Sequence, residues 1–198
     1  MSKNPADRTS VASVIGFCYN QILGKSDRIG YNNCKLTPKT MITPRQDSIS
    51  WDECFMRMAH VISDRSKDPS TQAGSVVADA ENVVVGLGYN GFPRGIDSDQ
   101  LTWEREGGFL DTKYAYVCHA EENAIYNANK STKGCKIYCT LFPCNECAKT
   151  IIQNGVLEVI YESDKYNTVD AFIVSRRLFD AAGIKCRQYV SDWASEKI

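Results

Sequence analysis

Residues 117–148 read VCHAEENAIYNANKSTKGCKIYCTLFPCNECA, and they hold one of the chain's two histidines and five of its nine cysteines. The spacing of apolar residues changes twice along this stretch. HAEENAIYNANK carries small side chains at Ala120, Ala124 and Ala128, a helical interval. KIYCT is a short run of β-forming residues, and Cys144, Cys147, Ala148, Ile151 and Ile152 return to helical spacing. Helix, strand and helix in so short a span predict a layered α/β domain.

The flanks extend the pattern. Trp51, Phe55, Met58, Ala59 and Ile62 make one apolar helical stripe, with Ser50 placed to cap it and SKDPS expected to end it. SVVAD and NVVVGLGYN are two β-branched runs around a short acidic turn, which predicts a hairpin closed by GYNGFPRG. Residues 95–116 are expected to form a long surface loop. Downstream, LEVIYE reads as a strand, and Ala171, Val174, Leu178, Ala181 and Ala182 read as a helix stopped by Gly183. IKCRQYV reads as a last strand. A hairpin followed by alternating helices and strands predicts a five-stranded mixed sheet with its later strands parallel, packed between helices. The expected plan is a loop-rich extension over 1–50, a domain over 51–190 and a tail over 191–198.

The chain has 198 residues, 43% of them hydrophobic and 24% charged, enough for one domain with a substantial core. A net charge of -1 gives no global field toward nucleic acid or anionic lipid, so neither is an expected partner. A local basic pocket for one phosphate remains compatible with that balance. MSKNPADRTS has no basic segment leading into an apolar one, and VASVIGFCYNQILG is too short and too polar to span a bilayer. A reducing, cytoplasmic setting with free thiols and metal ligands is therefore expected over a disulfide framework.

The cysteine pair Cys144-x-x-Cys147 has three readings. Opening a helix, it matches a dithiol redox couple; with a fourth ligand, it matches a structural zinc clip. With His119 alone it leaves one position of a zinc ion open, as catalytic sites do. The other histidine, His60, pairs with nothing at ligand spacing. Cys118 could supply a fourth ligand by count, but it adjoins His119, and direct neighbours rarely turn toward one ion. Glu121, beside the ligands but not among them, has the chemistry of a general base for a metal-activated water. Cys118, Cys135 and Cys139 then read as buried small side chains.

His-x-Glu followed by Pro-Cys-x-x-Cys is a signature of zinc-dependent nucleobase deaminases. Together with RSKDPSTQAG (65–74), GYNGFP (88–93), DTKYAYVCHAEENAI (111–125), LFPCNECAKTIIQ (141–153) and SDKY (163–166), the chain resembles the deoxycytidylate (dCMP) deaminase family. The resemblance covers most of residues 51–190. It implies the cytidine-deaminase-like three-layer α/β/α fold and hydrolysis of dCMP to dUMP and ammonia, a supply of dUMP for thymidylate synthesis. It implies zinc on His119, Cys144 and Cys147, Glu121 as proton shuttle, and Arg65, Lys67, Tyr166 and Asn90 around the nucleotide. It also implies a homohexamer activated by dCTP and inhibited by dTTP with Mg²⁺, with Gly91, Phe92 and Arg94 near the effector. Glu122 departs from the family's usual leucine and is expected to point away from the pocket, since a second carboxylate there would repel a phosphate. Ala73 stands where valine is usual.

Overall fold

The computed structural model describes residues 43–191. Residues 1–42 of the expected extension and 192–198 of the expected tail lie outside the described residues. Residues 43–50 are exposed and without regular structure, and the domain starts at Ser50. Its hydroxyl accepts from the Glu53 backbone N–H at 3.1 Å and starts helix α1, Trp51–Ser63, with Asp52 and Glu53 in the first turn where the helix dipole favours them. The buried residues of α1 are Phe55, Met56, Ala59 and Ser63. The helix is therefore turned about one residue from the expected stripe: Met56 takes the core place expected of Met58, and Trp51 is 57% exposed while stacking on Phe55.

That rotation follows from strand β1, Gly74–Ala78. A Cβ on Gly74 would lie 1.9 Å from the Ala59 carbonyl oxygen, so α1 touches β1 backbone to backbone at that point. Strand β2, Val84–Tyr89, pairs antiparallel with β1 after a turn in which Asn82 takes φ 61 and Asp79 caps the Glu81 and Val83 N–H groups. A bulge in this ladder sits at Val77 and Ala78.

The remaining elements alternate as expected: helix α2 (Ala120–Tyr126), strand β3 (Lys136–Leu141), helix α3 (Asn145–Gln153), strand β4 (Glu158–Ser163), helix α4 (Asp170–Ala182) and strand β5 (Lys185–Gln188). The sheet order is β2-β1-β3-β4-β5; β3 runs antiparallel to β1, and β3, β4 and β5 are parallel. Gly183 ends α4 with φ 68, the left-handed cap its position predicts. Alternate strand residues go to opposite faces. Val76, Ala78, Tyr138 and Ile160 pack with Phe55, Met56 and Ala59 of α1; Val77, Ile137, Cys139 and Val159 pack with Ala124, Ala148, Ile151 and Phe179 of the other three helices. This is the expected three-layer α/β/α architecture with a five-stranded mixed sheet. Among the described residues, no helix is long and apolar enough to cross a membrane.

Residues 95–116 are largely exposed, as expected of a surface loop, with one inward stretch. Two single 3₁₀ turns, Phe109–Asp111 and Lys113–Ala115, interrupt them, and Thr112 and Lys113 are buried. The cause is an ion pair between Lys113 and Asp68 that pulls the segment inward. Helix α2 is also shorter than its sequence pattern: at Asn127 the side-chain amide donates to the Leu87 carbonyl, and the helix ends there.

Candidate metal centre and its surroundings

Two helix N-termini come together at one cluster of side chains. His119 caps α2, Cys144 caps α3, and Cys147 lies in the first turn of α3. The ligand atoms of these three residues lie within 4.8 Å of one another, and among the described residues they are the one His/Cys cluster of this kind. His119 Nδ1 is 3.3 Å from both Cys144 Sγ and Cys147 Sγ. Zinc–nitrogen and zinc–sulfur bonds meeting at a tetrahedral angle place those atoms roughly 3.5 Å apart, so the donor set fits a zinc ion with a fourth position left over. His60 is remote from the cluster in its bonding, its Nε2 meeting Glu162 at 2.6 Å.

The protonation of the cluster also suits a cation. Cys144 is drawn down to about 4, first by its hydrogen bond with Cys147 and then by His119, against the effect of burial. His119 is raised to about 9, chiefly by its hydrogen bond with Cys144. Cys147 is raised well above the thiol range by its bond with Cys144 and by burial. A divalent cation can take the place of the protons held among these three groups.

Glu121 sits in the first turn of α2, 7% exposed, and burial pushes its carboxyl up to about 7. His119 and a hydrogen bond with Cys147 oppose that rise. Glu122 turns back and accepts from the His119 backbone N–H at 3.2 Å, closing the helix N-terminus instead of entering the site. Cys135 and Cys139 are buried among core side chains, as expected, whereas Cys118, expected to be buried with them, is only half-buried.

Helix α2 owes its position to glycines inside β2. A Cβ on Gly88 would fall 2.2 Å from both the Ala120 carbonyl oxygen and the Ala124 nitrogen, and one on Gly86 would fall 2.2 Å from the Ala124 carbonyl oxygen. The small face at Ala120 and Ala124 thus rests directly on strand backbone. Gly91 adds a second tie through two hydrogen bonds with Cys118, at 3.1 and 2.9 Å, immediately before His119.

The other expected site residues lie on the neighbouring loops. Asn90 is buried at the exit of β2; its amide donates to the Thr71 carbonyl and Asp68 Oδ2, and its Oδ1 accepts from the Ala73 N–H at 2.8 Å. Arg65 and Lys67 are exposed after α1, and Lys67 Nζ reaches Ser98 Oγ at 3.3 Å. Burial raises the Tyr166 hydroxyl, but a hydrogen bond with Thr71 and the Lys165 ammonium outweigh it and hold the group below its usual range. Phe92 stacks on Trp103 with centroids 4.1 Å apart, and the Arg94 guanidinium donates to Asn127. An open cavity of about 310 Å³ beside this loop is lined by Pro69, Ser70, Trp103, Glu104, Arg105 and Glu106. The sequence reading missed the buried pairing of Asp68 with Lys113. Asp-Pro-Ser-Thr does signal a turn closed by the aspartate, and Asp68 Oδ1 indeed accepts from the Ser70 and Thr71 N–H groups. Lys113 falls within the DTKYAYVCHAEENAI motif, but nothing there marks it as a partner of Asp68.

Comparison with known proteins agrees with this geometry. Residues 49–163 match the profile of the cytidine and deoxycytidylate deaminase zinc-binding region. A deoxycytidylate deaminase of Homo sapiens is 51% identical over 148 residues, spanning 74% of this chain and 83% of that one. A probable deoxycytidylate deaminase of Drosophila melanogaster is 43% identical over 153 residues, spanning 74% and 75%. The solved dCMP deaminase of the cyanophage S-TIM5, in complex with dCMP and dUMP, superposes with a TM-score of 0.55 at 27% identity, over 69% of this chain and 95% of that one. With the profile covering over half of the chain and the relatives spanning most of it, the chain belongs to the cytidine and deoxycytidylate deaminase family.

Proposed function

We propose that this deaminase hydrolyses dCMP to dUMP and ammonia, with His119, Cys144 and Cys147 holding a zinc ion and Glu121 moving the protons. The observation that carries the reading is the buried Glu121 carboxyl beside a three-donor cluster that leaves a fourth position open. Zinc, when bound, supplies Lewis acidity that lets a water lose a proton near neutral pH. Glu121 then does the rest of the proton work. It takes one proton from the water as the oxygen bonds to C4 of the cytosine ring and delivers it to N3. It relays the second to the departing amine, the C4–N4 bond breaks, and ammonia leaves. A carboxyl whose affinity for protons lies near neutrality suits both directions of transfer.

The preference for a monophosphate rests on the relatives' activity and on the cationic and hydroxyl groups near the site. A dianionic phosphate calls for a cation, which Arg65 or Lys67 can bring, and the Tyr166 hydroxyl adds a donor. Both donors of the Asn90 amide are committed within the protein, so it offers a nucleotide the second lone pair of Oδ1, suited to a sugar hydroxyl. The same reading places dCTP activation and dTTP inhibition with Mg²⁺ around Gly91, Phe92 and Arg94, in a cytoplasmic homohexamer that feeds thymidylate synthesis. One set of dCMP saturation curves tests these points. Chelation should abolish turnover, and about one Zn²⁺ per chain should restore it; dCTP and dTTP should shift half-saturation in opposite directions. Full activity in metal-free protein would reject the zinc reading, and curves indifferent to both triphosphates would reject the regulation.

A further inference from the structure

A lysine and an aspartate buried together need a reason. Lys113 is 5% exposed and Asp68 3%, with Nζ 2.7 and 2.6 Å from the two carboxylate oxygens. Pairs of this kind rarely recover the cost of leaving water, and similar apolar side chains often serve stability as well or better. What this pair does is fix its neighbours. Asp68 Oδ1 accepts from the Ser70 and Thr71 backbone N–H groups at 2.8 and 3.2 Å, and Oδ2 accepts from Asn90 Nδ2 at 3.2 Å. An ionised carboxylate can only accept hydrogen bonds, so Asp68, together with the Thr71 carbonyl, requires the nitrogen end of the Asn90 amide to face it. The amide nitrogen faces Asp68 and Thr71, and the oxygen is turned to the Ala73 N–H with a lone pair to spare. Lys113 anchors the carboxylate from the opposite segment, a few residues before Cys118, which bridges to Gly91 next to Asn90.

We propose that Asp68 and Lys113 are positioning residues that set the orientation of the Asn90 amide, so that its Oδ1 accepts from the substrate's sugar hydroxyl. This rests on the dCMP reading above. That nucleotide has a single free sugar hydroxyl, on C3′, so the pair acts on recognition of the 3′-hydroxyl.

The test compares kcat/KM for dCMP and for 2′,3′-dideoxycytidine monophosphate, in the zinc-loaded full chain and in variants. The unaltered protein should favour dCMP on the order of 10-fold or more, because the dideoxy nucleotide leaves Oδ1 without its partner. In the double variant Asp68→Asn with Lys113→Met no charge is left unpaired. The new amide oxygen stays with Ser70 and Thr71 and turns an NH₂ group against the NH₂ group of Asn90. Preference for dCMP should then collapse toward 1, with efficiency on dCMP falling and that on the dideoxy nucleotide little changed. Lys113→Arg, which keeps the charge, should retain the preference. Should the double variant fail to fold, Asp68→Asn with Lys113→Gln carries the same test: it leaves no unpaired charge, keeps a polar partner at position 113 and replaces the carboxylate, and the same collapse is expected. Equal losses on both nucleotides, with the preference intact, would mean a merely structural pair and overturn the proposal. The unaltered protein separates the two ways of failing. Equal efficiency on both nucleotides rejects the positioning role and leaves the dCMP activity standing; no release from dCMP rejects the substrate, and the positioning role with it.

Discussion

Glu121→Gln is expected to keep the fold and the zinc content while losing roughly 10²- to 10⁴-fold in kcat, the usual worth of a positioned general acid–base. Glutamine has the same shape and retains an acceptor oxygen, but it cannot take a proton from water or return one to the ring. The buried setting of Glu121 argues that the group is retained for chemistry. Its carboxyl is held in a place where burial opposes the charge, and a neutral amide there removes that opposition. The variant's melting temperature should therefore not fall. Metal analysis, thermal unfolding and single-turnover rates check the three statements together. Undiminished kcat in a zinc-loaded Glu121→Gln protein would remove the shuttle.

Gly88→Ala should be the most damaging single-methyl change near the site. The added Cβ would meet two backbone atoms of α2 at 2.2 Å, where ordinary contact begins beyond 3.4 Å, and backbone cannot swing aside as a side chain can. Strand and helix must part by about 1 Å, at a cost at or above the usual overpacking range of about 1–3 kcal/mol. The same displacement carries His119 and Glu121 away from Cys144 and Cys147. A misplacement of that size in a catalytic group can cost about 10²-fold in rate. Gly91→Ala, three residues on, is the contrast: its Cβ would meet only the Tyr89 ring, at 3.7 Å, and its stability should be near normal. Thermal unfolding and kcat of the two variants decide the matter. A Gly88→Ala protein with unchanged stability and rate would refute the close packing of α2 on β2.

Much of this was legible in the residues because the signals were local. The stripe from Cys144 to Ile152, the hairpin pattern and the left-handed stop at Gly183 each report backbone geometry over a few residues. The three metal-cluster residues were legible because thiolate, imidazole and their spacing are chemically specific. Contacts between distant segments were not. The stripe through Trp51 and Met58 missed the true buried face because Gly74, outside the helix, sets how α1 sits. Gly88 read as part of a strand-end turn, whereas it is inside β2 and is small for the sake of α2. Lys113 read as a loop lysine because its partner, Asp68, is 45 positions away in sequence and only the folded chain brings them together. The orientation of the Asn90 amide belongs to the same class, since three segments contribute to it.

Zinc-dependent deamination of dCMP stands or falls on ammonia release by the zinc-loaded chain from dCMP, dCTP, CMP, deoxycytidine and adenosine under one set of conditions. Release from dCMP should dominate. Deoxycytidine, which lacks the phosphate and its charge-assisted contacts, should be turned over on the order of 100-fold less efficiently. Adenosine should release none. Ammonia release from adenosine or deoxycytidine at a rate equal to that from dCMP, or none from dCMP in protein with a full complement of zinc, would contradict it.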